Sequence, residues 1–337
     1  MKILKRITAV ITVLLLAQGA MAQDYLLSQP WAVASMVSPS FAGFNLGGKA
    51  FATYRNMYSS LNGAHVAVAG YDQYFHPVRS SFGVNIAYAN YGASALSHTE
   101  FNIQYNYSVQ MTSEWFFRPG IQLGLFYRNI DVDNMIFADQ IAPNGTILPG
   151  TSFNPVNSSV LCFDAGVSVL FYYKYFFGGV FVDNLLGNKI SFMDQATTTN
   201  PLRLSVQAAG MIPISKGLGK YDAKDDVTIA AIYQWQGQYH QIDLDIMYHR
   251  QYFMAGVGYR GVPFFTPDGL TSQDAVKLMI GGSIAGFSLS YSYDISVSSL
   301  VDVSGGSHEI ALTNTSRRYP TKPAVESATG IPVTMRT

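Results

Sequence analysis

The chain of 337 residues has one cysteine, Cys162, which excludes a disulfide scaffold. It is also poor in charge: Asp, Glu, Lys and Arg make up 12%, about half the usual quarter of a soluble domain. There is no basic excess and no Lys/Arg run, so nucleic acid is not an expected partner. After the first 22 residues no stretch holds 18 uninterrupted apolar residues, so helical membrane spans are excluded. Apolar content is not what is missing. At 48% hydrophobic and 14% aromatic, the chain is too apolar for disorder. What is abundant is Gly (30), Tyr (22) and Phe (21), with many Ser and Asn. An outer-membrane β-barrel has this composition, and a large soluble β-protein can share it.

The first residues carry an address. Lys2, Lys5 and Arg6 precede an apolar run, Ile7 to Leu16, and Ala20-Met21-Ala22 has the small-x-small pattern of a cleavage site. A signal peptide over 1–22 is therefore expected, with the mature chain starting at Gln23. Its removal leaves 18 basic and 21 acidic residues, a net charge of −3. No cysteine follows the cleavage site, so a lipoprotein anchor is not supported.

Beyond it, period-two alternation recurs and no convincing amphipathic helix is found. Phe101, Ile103, Tyr105, Tyr107 and Val109 alternate with Asn102, Gln104, Asn106, Ser108 and Gln110. The runs Phe287–Asp294 and Gln241–Tyr248 behave likewise. In a strand the two sets lie on opposite faces. The polar face carries Ser, Asn, Gln and Gly rather than Lys and Glu, which suits a crowded hydrated lumen better than bulk water. Aromatics such as Tyr88, Tyr107, Tyr127, Tyr233, Trp235, Tyr248 and Tyr259 fall near strand ends, as in interfacial girdles.

The expected fold is all-β: a transmembrane outer-membrane barrel of about 14 antiparallel strands. They start near Lys49, His65, Ser80, Ser97, Trp115, Val160, Tyr175, Leu202, Asp226, His240, Tyr252, Asp274, Phe287 and Ser307. With β1 running outward, most long connections fall on the external side, chiefly 130–159, where Pro143, Asn144-Gly145, Pro149 and Pro155 suggest an ordered loop. The long turn 215–225 on the other side is the exception. The barrel is expected over 49–315, an N-terminal periplasmic or lumenal segment over 23–48, and a tail over 316–337. Trp31, Phe41 and Phe44 need burial, which points to an N-terminal segment that occludes the lumen.

Catalytic signatures are not found. The six histidines, His65, His76, His98, His240, His249 and His308, have no nucleophile and carboxylate at readable spacing. Metal-ligand clusters, phosphate loops and dinucleotide motifs are missing too, so no enzyme activity and no cofactor is expected. Cys162 has lumenal parity and reads as a packing residue. The informative charges are Arg55, Arg260, Asp294 and Glu309, which parity points inward at the outer ends of strands 1, 11, 13 and 14. Asp243, Asp245 and Lys277 add to them. Ions in a confined lumen need partners, so a network near the first–last strand seam is expected, with Arg260 reaching across or acting through an intervening group.

Several of these residues also form motifs. Ser290-Tyr291-Ser292-Tyr293-Asp294, Ser298-Ser299-Leu300 and Ser307-His308-Glu309-Ile310 resemble the C-terminal end of the PorP/SprF family, outer-membrane barrels of the Bacteroidetes type IX secretion system. Ser38-Pro39-Ser40-Phe41-Ala42-Gly43 resembles the family's Asn-Pro-Ala-Tyr-Ala-Gly element, with Ser38 in place of Asn. Tyr54-Arg55, Asp139-Gln140, Phe163–Gly166 with Leu170–Tyr173, and Gly258-Tyr259-Arg260 are similar to further blocks. The resemblance implies an outer-membrane location and a role in protein secretion or gliding motility. The implied partners are the secretion machinery or a surface adhesin, besides outer-membrane lipid. The alternative from barrel physics alone is a diffusion channel or uptake barrel.

Overall fold

The computed structural model describes residues 27–61, 63–91, 96–131, 138–142, 146–149, 158–192, 199–216, 223–237, 239–262, 272–297, 301 and 303–316. The chain forms a closed barrel of 14 antiparallel strands. They are β1 (Gly48–Met57), β2 (Ala64–Phe75), β3 (Ser80–Tyr91), β4 (Leu96–Tyr107, resuming as Val109–Gln110), β5 (Trp115–Ile130), β6 (Ser159–Tyr173) and β7 (Phe176–Asp183). There follow β8 (Arg203–Lys216), β9 (Ala223–Gln236), β10 (Tyr239–Arg250), β11 (Phe253–Val262), β12 (Ser272–Ile284), β13 (Phe287–Ser296) and β14 (Ser307–Ser316). Each strand pairs with its sequence neighbours, and β1 pairs with β14 from Gly48↔Ser316 to Asn56↔His308, which leaves no open edge.

The alternation has the sense that lipid demands. On β3, Phe82, Val84, Ile86 and Tyr88 are exposed while Ser81, Asn85, Ala87 and Ala89 are buried. On β4, Phe101 and Ile103 are exposed while Asn102, Gln104 and Asn106 are buried. In water such a wall would leave apolar area uncovered at about 25 cal/mol per Å²; against hydrocarbon it is the stable arrangement, and the lumen keeps the polar set. No helix among the described residues is long and apolar enough to cross a membrane.

The strand starts lie within three residues of their expected positions; β9 is the furthest, beginning at Ala223 rather than Asp226. There β8 extends to Lys216, and the β8–β9 register shifts between Ala223 and Asp226. Such a bulge breaks the period of two, so alternation alone places the strand end wrongly. The connection that remains, 217–222, lies outside the described residues, as do the signal segment, Pro143, Asn144-Gly145, Pro155, Ser298–Leu300 and the tail beyond Ser316.

At one end the connections are short, as at 76–79, 174–175, 251–252 and 285–286; at the other lie 131–158 and 184–202. In outer-membrane barrels the long connections face outward, so Gly48 and Ser316 mark the periplasmic end and Met57 and Ser307 the external end.

Residues 27–47 lie within the wall. They comprise a one-turn helix α1 (Ala34–Val37), a 3-10 turn (Pro39–Phe41) and connecting bends, and Trp31, Val33, Phe41 and Phe44 are buried. Phe41 and Phe44 pack edge-on against Phe177, with centroids 5.2 and 6.1 Å away, and Phe44 meets Tyr172 at 5.2 Å.

Candidate functional site

The external seam is built by strand pairing. Ser292-Tyr293-Asp294 on β13 runs antiparallel to Ser307-His308-Glu309 on β14, with Asp294↔Ser307, Tyr293↔His308 and Ser292↔Glu309 opposite each other. Arg55 on β1 lies opposite Glu309. The period of two turns Tyr54, Tyr293 and His308 outward and Arg55, Asp294 and Glu309 inward. Inside, Arg55 Nη2 lies 2.7 Å from Asp294 Oδ2 and Nη1 lies 3.2 Å from Glu309 Oε2.

Arg260 on β11 reaches past β12 to Asp294 Oδ2 at 3.3 Å, and its Nε lies 2.9 Å from Asp243 Oδ1. On the intervening β12, Lys277 Nζ binds Asp243 Oδ1 at 2.9 Å and Asp245 Oδ1 at 2.7 Å. Opposite Lys277 stands Gly258, where a Cβ would strike both the Asp245 carboxylate and the Lys277 stem. Three cations and four carboxylates thus form one continuous network, every member nearly inaccessible to solvent.

What the network holds is the start of the lumenal segment. Glu309 accepts the backbone N–H of Ser28 at 2.6 Å and of Gln29 at 3.1 Å. Ser28 Oγ donates to Asp294 Oδ2 at 2.5 Å and accepts from Arg55 Nη1. Arg260 Nη2 donates to the Leu27 carbonyl at 2.9 Å. Gln29 Nε2 donates to the Glu309 carbonyl at 3.1 Å, and Ser290 Oγ donates to Gln29 Oε1. Ser28 and Gln29 carry no signal in the sequence: they are small or neutral and lie ahead of every motif.

The periplasmic end is held differently. Pro39, Phe41, Ala42 and Gly43 belong to a tight turn whose carbonyls are read by the wall. Asn106 Nδ2 donates to Pro39 O at 2.8 Å and Ala42 O at 2.9 Å, and Arg118 Nη2 donates to Ala42 O at 2.8 Å. The Arg118 guanidinium lies 5.6 Å from the Phe44 ring centroid and 5.9 Å from that of Tyr74. Ser40 N donates to Ser168 Oγ at 3.1 Å, and Gly43 N donates to Asp72 Oδ1 at 2.7 Å. Gly43 has φ +62°, and a Cβ there would sit 2.6 Å from Ser81 Oγ and 2.9 Å from the Tyr74 backbone nitrogen. Arg118, Asn106 and Asp72 have lumenal parity, so alternation marks them as inward but not as partners of this turn.

On the β8–β10 side the fit is looser. A small apolar gap of about 50 Å³ lies between Trp31, Ala34 and Phe41 of the segment and Ala209, Ala230 and Met247 of the wall.

The remaining expected residues lie apart. Asp139 and Gln140 are in a 3-10 turn (Ala138–Gln140) of the external β5–β6 connection, with Asp139 exposed. Tyr259 neighbours Arg260 on β11, and its buried hydroxyl has no hydrogen-bond partner among the described residues. Cys162 faces inward beside the Lys189 carbonyl, 3.7 Å from its sulfur. His249 pairs with Asp226 at 3.1 Å near the periplasmic rim. Among the described residues no group of His, Cys, Asp or Glu is arranged to hold a metal ion.

The chain is similar to several solved barrels. The Pseudomonas putida toluene transporter TodX shares 10% identity over 88% of this chain and 94% of that chain, with a TM-score of 0.43. CdiB from Acinetobacter baumannii shares 7% over 80% and 60%, at 0.42. The KdgM porin shares 8% over 80% and 99%, at 0.36. No curated protein matches the chain. The family model for the type IX secretion system membrane protein PorP/SprF matches residues 20–313, and with it an outer-membrane location. Nearly the whole barrel and its lumenal segment fall within that match, and the chain belongs to the PorP/SprF family.

Proposed function

We propose that the chain is a non-enzymatic outer-membrane component of type IX secretion that supports secretion or surface attachment of cargo proteins, adhesins among them, through protein–protein contacts. The observation that carries this reading is the tied lumenal segment: a barrel filled by its own chain and bonded at both ends works as a scaffold with two faces, not as an open pore. The external connections, chiefly 130–159, face cargo; the short periplasmic turns and the tail face the machine. In this reading 1–22 is removed on export, 23–48 is the lumenal segment and 316–337 a periplasmic tail. Mild crosslinking in cells followed by co-purification tests it. Recovery of secretion-machine subunits or one large surface protein is expected, and recovery of neither defeats it. A diffusion channel is the second reading, favoured by the apolar space along β8–β10. Single-channel conductance of the purified protein decides between them.

A further inference from the structure

Three histidines at the external rim share a geometry that neither the seam nor the lumenal segment uses. Each is the second residue of a strand descending from the surface: His65 on β2, His240 on β10 and His308 on β14. Each faces outward, opposite in parity to its buried neighbours. In each, a tyrosine hydroxyl of the preceding or adjoining strand lies within hydrogen-bond distance of Nδ1, and the phenol, the stronger acid of the two, is the natural donor. Tyr54 Oη lies 2.8 Å from His65, Tyr233 Oη 2.7 Å from His240, and Tyr291 Oη 2.7 Å from His308.

Two of the three form one patch. Asn56 on β1 is in register with His65 on one side and with His308 on the other. Strands lie about 4.8 Å apart, so the two histidines flank Asn56 at one height, roughly 10 Å from each other. Below them the wall is exposed apolar surface, Ile310 and Leu312 among it. The patch therefore sits where hydrocarbon gives way to headgroups.

A phenol hydroxyl that donates to Nδ1 fixes the imidazole tautomer and leaves the proton on Nε2. For His65 and His308, Nε2 has no hydrogen-bond partner among the described residues. The periplasmic-end histidines differ: His76 Nε2 meets the Leu46 carbonyl at 2.9 Å, and His249 meets Asp226. His65 and His308, by contrast, turn Nε2 toward the lipid boundary. The strongest acceptor at that height is an anionic phosphate oxygen.

We infer that the His65–Asn56–His308 patch at the external rim binds the phosphate of outer-leaflet glycolipid. The full-length mature protein in detergent tests this by native mass spectrometry with monophosphorylated lipid A, its dephosphorylated counterpart and inorganic phosphate. The phosphorylated glycolipid should bind better than the dephosphorylated one. His65→Phe combined with His308→Phe keeps two flat rings and removes both donors. It should weaken the phosphorylated probe about tenfold or more and leave the dephosphorylated probe unchanged. Tyr54→Phe with Tyr291→Phe frees the tautomer and should give a smaller loss; it decides the matter if the histidine variant does not fold. Equal affinity for the two glycolipids, or unchanged affinity in both variants, overturns the site. So does full displacement by millimolar inorganic phosphate, which would make it a general anion site.

Discussion

The lumenal segment is fastened at two ends by opposite means. At the external end the wall supplies ions: Arg55, Arg260, Asp294 and Glu309 close on the backbone and side chains of residues 27–29. At the periplasmic end amides and aromatic rings carry much of the contact, and the ions act singly on the backbone of the turn, Arg118 on the Ala42 carbonyl and Asp72 on the Gly43 N–H. Buried ions are costly singly and tolerable only as a complete set. The upper fastening is therefore all-or-none, whereas the lower one is a sum of smaller contacts that can be lost one at a time.

Removing the comparison altogether gives the largest effect. Deletion of residues 23–43 takes away both fastenings and should raise single-channel conductance and sensitivity to bulky antibiotics; no change in either would show that something else fills the lumen. Next comes Asp294→Ala, which removes the carboxylate that Arg55 and Arg260 share. A loss of about 3–5 kcal/mol is expected, read as a lower urea midpoint for the heat-dependent gel shift of the folded barrel, with reduced display of cargo. Ser290→Ala on the same strand removes one neutral bond and should cost about 1 kcal/mol. Equal behaviour of the two variants would dissolve the distinction between the ends. Gly43→Ala attacks only the lower end. A left-handed backbone and a Cβ 2.9 Å from Tyr74 N should cost about 2 kcal/mol, with the external end still protected from added protease.

Outside both fastenings the expected effect is smallest. In the periplasmic turns Glu114 accepts from Lys174 and from the Tyr173 hydroxyl at 2.9 Å, and these bonds lower its pKa from the ordinary value. A depressed carboxylate contributes above its unfolded pKa and loses that contribution as pH falls through the folded one. Both partners are well exposed, so Glu114→Gln should leave the urea midpoint at pH 7 unchanged and differ from wild type only in how it responds below about pH 4.

Most of the wall was legible from alternation, because lipid on one side and a polar lumen on the other leave each strand position a narrow choice. The same parity assigns Arg55, Asp294 and Glu309 inward, and the adjacency of first and last strands brings them together. Arg260 required a reach across β12, and the side-chain-free Gly258 opposite Lys277 leaves room on that route. The partners in the segment were not legible. Ser28 and Gln29 bind mainly through backbone N–H groups and short neutral side chains, and a backbone donor leaves no trace in residue type. Arg118 was hidden for a related reason: it donates to the Ala42 carbonyl and to the neutral side chains of Ser81 and Asn106 and lies beside two rings, with no carboxylate bonded to it among the described residues.

The direction of the segment bears on how the molecule is put together. Gly48 opens β1 at the periplasmic rim, yet Leu27, some twenty residues earlier, touches Arg260 near the opposite rim. The segment therefore runs from the external rim at Leu27 to the periplasmic rim at Gly48, inside a closed ring. Closure of β14 onto β1 thus encloses a piece of the protein's own chain that is bonded to the wall near both rims.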